Sequence, residues 1–455
     1  MEKRIKTAFI CFGEINTAIE RLRIKHDEAL MKIREFEDVE SLDCGIVIDD
    51  PEYKTGDEAL AKLHGQNFSS VIACIAGWVP SHAVLYVIDQ YRHIPIMLWG
   101  LCGWIESGKI ITTADQAGTS ALRPTLEELG FKFRFIYNRI GKPYPMQRIH
   151  DYLRACATVY ELRFQKIGSM GYRDMLLYST AYDAAAVRRV FGVEVENFEM
   201  LEMVQNCEKQ NDLEIINLYN YIKKNWLILK DCKESVIKDG IRYALAIGKK
   251  IGERGYAAVT LNDVDGMKKL LGFPPAMVFM LLEHLYGVET TPENDVMGNL
   301  TQLLMRGLSG ATAHYMEYYE YFDDGMLIGV PDYIPEPVVE DKVQMLPAAF
   351  GLLNSSLLNV SKVKGGYVTC VRLAMKRGDF VIHVYTGEAK QPPSWEEFGW
   401  DKPAPQLSSL RIYPDSCSVE HFAENVLSQH VIVSYGNHLM ALKDLCYLLD
   451  ITLIQ

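Results

Sequence analysis

The chain of 455 residues lacks a C-x-x-C pair, a glycine-rich phosphate fingerprint, a basic run and a bilayer-length apolar run. Each absence removes a class of function. The ten cysteines, at 11, 44, 74, 102, 156, 207, 232, 370, 417 and 446, are scattered. They read as reduced, mostly buried thiols rather than a zinc site or a disulfide frame, and so as a protein of a reducing compartment, the cytoplasm. No G-x-G-x-x-G or G-x-x-x-x-G-K-[ST] follows a strand-like segment, so dinucleotide and P-loop binding have no local support. Acidic residues number 59 against 47 basic ones, a net charge of −12. With no patch of Lys or Arg interleaved with aromatics, nucleic acid is excluded as a partner. No apolar run approaches the roughly 20 residues a membrane helix needs, which excludes a membrane partner. The opening MEKRIKTAFICFGE is broken at Gly13 and Glu14 and reads as a first strand, not a signal peptide.

What is present is the composition of an ordinary globular chain, 49% hydrophobic and 23% charged, long enough for two to three cores. From Ile5 to Asn138, short β-branched runs at Lys6–Phe12, Gly45–Asp49, Ser69–Ile75, Ile94–Trp99 and Phe131–Tyr137 alternate with helical segments near 15–37, 55–64, 81–92 and 116–129. Apolar strands that come one per helix predict a parallel sheet covered on both faces, with its ligand crevice at the carboxyl ends of the strands. Trp78 and Trp99 fall at such ends and are candidates to stack on a sugar ring. A long helix near 144–164 leads into a second α/β stretch, and IPEPVVEDK marks a connector before hairpin-rich segments such as GYVTCVRLAMKRGDFVIHVYTGEA. The expected fold is α/β, with Rossmann-like parallel-sheet domains over 1–165 and 166–345 and a β-rich, barrel-like domain over 346–455. A long loop is expected over 390–406.

One stretch, 291–324, carries two acidic clusters: Glu293 with Asp295, then Glu317, Glu320, Asp323 and Asp324. Between them, apolar residues from Asn294 to Leu308 recur with helical spacing, and Ser309-Gly310 is a stop. A helix leading away rises about 21 Å, and Ala311 to Glu317 returns about 23 Å if extended. Glu293 and Glu317 can therefore meet again. Such a pair is a hard-metal site, an acid/base pair, or two solvated charges. A metal that takes sugar oxygens is hard and suits carboxylates with one imidazole. His314 faces away from Glu317 on a strand; His383 and His421 read as structural; His430 opens a strand at a rim, where functional groups gather.

Four segments then carry a resemblance. HVIVSYGNHLMALKDLCYLLDITLI resembles the C-terminal signature of the L-fucose and L-arabinose isomerases, whose metal-binding histidine falls on His430. YMEYYEYFDDGMLIG is similar to the M-E-D-Y motif of the arabinose branch, with its glutamate on Glu317, and ENDVMGNL resembles the C-E-x-D-I-x-G motif of the fucose branch, with its first acid on Glu293. The segment that begins IGSMGYRDMLLYS is similar to the opening of the second domain in both branches, and the four occur in family order. The chain departs from the family where arabinose isomerases carry a second histidine, in G-S-H; here Gly329-Val330-Pro331-Asp332 stands, and Asp332 reads as a surface residue rather than a weak substitute for the missing ligand. The resemblance implies a metal-dependent aldose–ketose isomerase that works through a cis-enediol, with Mn²⁺ or another divalent cation on Glu293, Glu317 and His430. Glu293 and Glu317 are the candidate proton carriers. It also implies a homohexamer and a small-molecule sugar as ligand. An isomerase or aldolase for a modified sugar, or a non-catalytic sugar-binding homologue, are the alternatives.

Overall fold

The computed structural model describes residues 5–349, 352–394, 397, 399 and 407–455. From residue 395 on, the loop expected over 390–406 lies largely outside them. Two compact units divide the chain, Met1–Tyr160 with Met440–Leu448, and Glu161–Leu439 with Leu449–Gln455.

In the first unit, β1 (Ile5–Gly13), β2 (Val39–Ile48), β3 (Ser70–Ile75), β4 (Ile96–Gly100) and β7 (Phe133–Tyr137) pair in the order β2-β1-β3-β4-β7. Every pairing is parallel. Every residue of β3 and β4 is buried, as expected where helices cover both faces of a sheet. Two three-residue strands, β5 (Trp104–Glu106) and β6 (Lys109–Ile111), form a hairpin in the β4–β7 connection that the apolar pattern did not indicate. Gly103 makes it possible, since a Cβ there would meet the Ile111 carbonyl oxygen at 2.1 Å. Late in the chain, the helix Leu439–Leu449 supplies buried Asp444, which accepts from Arg134 Nε at 2.7 Å and from Arg148.

Trp99 does not take the sugar-facing position expected of it. It is wholly buried, with its indole N–H donated to Asn138 Oδ1 at 2.9 Å, so neither face is open to a sugar. Trp78 is 40% exposed.

The second unit opens with a four-stranded parallel sheet. β8 (Lys166–Met170), β9 (Glu194–Phe198), β11 (Ala258–Leu261) and β12 (Glu289–Thr291) lie in the order β12-β11-β8-β9. A short β10 (Leu227–Ile228) pairs with β15 (Gln344–Ala349), which pairs with β16 (Leu352–Asn359). The remaining strands build a closed six-stranded barrel from β13 (His314–Phe322), β14 (Gly325–Gly329), β17 (Gly366–Lys376), β18 (Asp379–Lys390), β19 (Ser409–Pro414) and β20 (His430–Tyr435). Its order is β17-β20-β13-β14-β19-β18, closed by the β17–β18 hairpin, and β21 (Thr452–Ile454) adds in parallel to β18. Two barrel strands, β13 and β14, thus precede residue 345. The ten cysteines are all unpaired, and among the described residues no helix is long and apolar enough to cross a membrane.

One barrel histidine has a measurable consequence for stability. His314 is fully buried beside the Tyr435 ring, neither ring nitrogen has a hydrogen-bond partner among the described residues, and burial pulls its pKa down to about 3. The folded value lies below the unfolded one, near 6.5. The unfolded chain therefore takes the proton first, so the stabilisation is complete above about pH 6.5 and is lost as pH falls toward 3. In His314→Leu, unfolding free energies from urea titrations between about pH 7 and pH 4 are expected to lose up to about 1.4 kcal/mol per pH unit of acid dependence.

Candidate metal centre

β12 ends at Thr291, and the chain turns through Pro292, Glu293 and Asn294 before the helix Val296–Ser309 begins. Glu293 thus sits at the carboxyl edge of a parallel sheet, where ligands bind in such folds. The turn is held in a costly conformation: Glu293 and Asn294 both have positive φ, 60° and 52°, at roughly 1–2 kcal/mol each for residues with a Cβ. Hydrogen bonds maintain it. The Glu293 N–H donates to Asp263 Oδ1 at 2.5 Å, and Asn294 donates through Nδ2 to the Met170 carbonyl at 2.9 Å and to Ser169 Oγ at 3.1 Å. Buried Asp263 has its carboxyl pushed well up, by burial first and then by the charges of Asp174, Asp332 and Glu293.

The helix leads away, and β13 returns in extended form. Glu317 on β13 pairs directly with His430 on β20 in antiparallel register, so their side chains share a face of the barrel wall. One donor atom from each of Glu293, Glu317 and His430 lies within 4.8 Å of the others. His430 Nε2 stands 3.3 Å from Glu293 Oε2 and 3.7 Å from Glu317 Oε1. It is completely buried and makes no well-directed hydrogen bond among the described residues. A buried ring nitrogen in that state costs about 1–3 kcal/mol unless something fills the space before it. Two carboxylate oxygens and one imidazole nitrogen, converging from three elements, fit a hard or borderline divalent cation with positions left open for substrate.

Behind the donors lies a second layer. Asp295 caps the helix by accepting from the Gly298 N–H at 2.8 Å; a Cβ on Gly298 would meet Asp295 Oδ2 at 2.6 Å. The same carboxylate accepts from His430 Nδ1 at 2.8 Å and takes both terminal nitrogens of Arg372. Burial raises the Asp295 pKa, but Arg372 and His430 outweigh it and hold the carboxyl well below the usual range. Burial likewise disfavours a charged His430, yet Asp295, Glu293 and Glu317 push its pKa well above the ordinary value. The pocket is built for positive charge at that nitrogen. Gln429 completes the layer: its Nε2 donates to Glu293 Oε2 at 3.1 Å and its Oε1 accepts from Ser179 Oγ at 2.6 Å.

Of the other acids, Glu320 and Asp323 are exposed, and Asp324 pairs with Arg411 at the surface. Asp332 departs from the surface position expected of it and is only 3% exposed. Its Oδ1 accepts from the Tyr315 hydroxyl and from the Tyr333 N–H at 2.7 Å; burial, with the charges of Glu317 and Glu293, pushes the carboxyl up to about 7. His383 stacks on Phe422, and His421 reaches the Gln455 carbonyl at 3.0 Å. Neither is among the grouped donors. Sequence reasoning missed Asp295 as a partner of His430, and Arg372 altogether. The available signal was Arg372 as the lone charge inside the apolar TCVRLAM run.

No family model matches the chain. Sulfoquinovose isomerase of Priestia aryabhattai is 19% identical over 285 residues, 62% of this chain and 63% of that protein, and the enzyme of the same name from Priestia megaterium matches to the same extent. L-arabinose isomerase of Klebsiella pneumoniae is 23% identical over 189 residues, 39% of this chain and 37% of that protein. The matched stretches span less than two thirds of each relative's length. The chain is a distant homologue of the sulfoquinovose and L-arabinose isomerases, in line with the resemblance its motifs carry.

Proposed function

We propose that the protein is a metal-dependent aldose–ketose isomerase acting on an open-chain sugar. The observation that supports this most is the convergence of Glu293, Glu317 and His430, with a buried, unbonded Nε2 between two carboxylates, in a chain distantly homologous to sugar isomerases. Glu293, Glu317 and His430 would hold a divalent cation, Mn²⁺ in this reading, and such a cation would supply Lewis acidity toward the sugar carbonyl. The residues themselves do the rest. One of the two glutamates, as carboxylate, removes the proton from the carbon beside the carbonyl and returns it to the former carbonyl carbon. The sugar passes through a cis-enediol as a second proton moves from the neighbouring hydroxyl oxygen to the former carbonyl oxygen, so atoms and electrons balance. Glu293 is steadied for this by the Gln429 amide and by the turn anchored on Asp263 and Asn294. Asp295 fixes the imidazole so that Nε2, not Nδ1, faces the two acids. The reading includes a cytoplasmic homo-oligomer, a hexamer on the family resemblance, and the ten unpaired thiols agree with a reducing compartment.

A modified sugar is the second reading, favoured by one observation: two of the relatives act on sulfoquinovose by name and match a larger share of the chain than the arabinose isomerases do. Metal analysis of the purified protein, coupled to assays with Mn²⁺ on aldoses, ketoses and their sulfonated derivatives, tests both. Stoichiometric metal with ketose formation is expected. Metal with turnover only on derivatives selects the modified sugar, and sugar binding with neither metal nor turnover overturns the enzyme reading in favour of a binding protein.

A further inference from the structure

The first unit contains a cavity of about 460 Å³, within the range of roughly 300–1,000 Å³ common for small-molecule sites. Its walls come from the helix Ile19–Arg34 that follows β1, from the loop after β4 with the β5–β6 hairpin, and from the loop after β7. These segments leave the carboxyl edge of the parallel sheet, the place where α/β sheets of this winding take ligands. Its lining includes none of Glu293, Glu317 and His430.

The charge of the lining is unusual for so acidic a chain. Arg21, Lys25, Arg139 and Lys142 line it, against one carboxylate, Glu28. Lys25 is committed to structure: it is buried and donates to Asp115, to Thr113 Oγ1 at 2.6 Å and to the Ala76 carbonyl at 3.1 Å. It braces the first helix against the end of β3 and the segment after the hairpin. Glu28 is occupied by Tyr144, whose hydroxyl pKa is raised by burial and by its hydrogen bond to Glu28. The other three cations are exposed and have no ion pair among the described residues. Arg21 lies over the Trp104 ring at 4.9 Å, which orients its guanidinium along the wall. Arg139 and Lys142 are the two ends of a turn closed by the Lys142 N–H to the Arg139 carbonyl at 3.1 Å, with Gly141 at φ +70°. That turn, with glycine at its third position, sets both side chains into the same cavity. Three exposed cations with no ion pair among the described residues, one stacked on a ring and two at the ends of a tight turn, form a receptor for an oxyanion.

We infer that this cavity binds a small ligand bearing a phosphate or sulfonate group on a sugar-sized skeleton, with Arg21, Arg139 and Lys142 holding the oxyanion. The sugar half of the assignment rests on the isomerase reading; the anion half rests on the cavity alone. The test is calorimetric titration of the full chain, with a chelator present, using glucose 6-phosphate, a hexose 6-sulfonate, glucose and inorganic phosphate. The charged sugars are expected to bind at least about tenfold more tightly than glucose, and Arg139→Gln and Lys142→Gln each to weaken them about tenfold without altering glucose. His430→Ala is expected to leave this binding intact, so that failure of the metal reading stays separate. Charged-sugar binding that is unchanged in the Arg139→Gln/Lys142→Gln double variant, or lost in His430→Ala, overturns the assignment. Inorganic phosphate binding as tightly as the sugar phosphate overturns its sugar half, and a sulfonate far tighter than the phosphate identifies the sulfonated ligand.

Discussion

His430→Ala is expected to give a folded protein that no longer retains stoichiometric Mn²⁺ and whose ketose formation falls at least about 10³-fold, in the range that general acid–base catalysis and electrophilic assistance supply together. The imidazole is the only nitrogen in the donor set, and it is the donor least free to be replaced. Its ring is buried in the barrel wall, opposite Glu317 in register and fixed from behind by Asp295. Alanine leaves two carboxylates facing each other across an empty space, which water fills only with weaker coordination. His430→Gln separates folding from binding, because it restores most of the volume and a hydrogen-bonding group. Circular dichroism and thermal melting of both metal-free variants establish that the chain is intact. Glu293→Gln and Glu317→Gln then divide ligand from base. An amide oxygen still coordinates weakly but cannot carry a proton, so the variant that keeps more metal while losing about 10²–10⁴ in turnover marks the proton carrier. Full metal-dependent turnover in any of the three would remove that residue from the site.

The convergence of Glu293 and Glu317 was legible from strong local patterns, whereas His430 was singled out by the resemblance of its segment. Glu293 precedes an amphipathic helix with a clear stop, Glu317 lies in an extended return, and His430 begins a buried strand. Helix rise and strand rise, applied to the stretch between the glutamates, suffice to bring its ends back together. The parallel sheet of the first unit was legible for a related reason, since strands covered on both faces read as unbroken apolar runs. Short polar strands were not. The sequence of β12 is Glu-Thr-Thr, and the hairpin strands have three residues each, too few for any period to register. Burial of single polar residues was also beyond reach. Gly-Val-Pro-Asp has turn composition, yet Asp332 is enclosed by Tyr315 and Tyr333 from separate segments. Trp99 lies near the end of β4, but Asn138, just past β7, accepts from its indole nitrogen. Both outcomes depend on partners far along the chain, and no local pattern records them.

The strongest such long-range pairing carries the second large effect. Asp295→Asn is expected to lower stability by about 3–5 kcal/mol and to weaken metal binding by about 10- to 100-fold. Asp295 and Arg372 are 77 residues apart and both essentially buried, so neutralising the acid strands a guanidinium in the interior. That loss is electrostatic, and Asp295→Asn/Arg372→Leu, which removes both charges, is expected to recover much of it. Metal affinity is not expected to recover. A carboxylate on Nδ1 accepts the proton there, which keeps the Nε2 lone pair directed at the cation and makes the imidazole more basic; asparagine does neither reliably. The signature is in the pH dependence. Burial alone would lower the His430 pKa, and its acidic partners instead raise it well above the ordinary value. In the metal-free protein a proton therefore competes with the cation, and affinity rises with pH until that proton is gone. Without the Asp295 charge the proton leaves at lower pH, so the rise in affinity is expected to shift acidward while its plateau falls. A residue that only stabilised the fold would lower the melting temperature and leave that pH profile where it was.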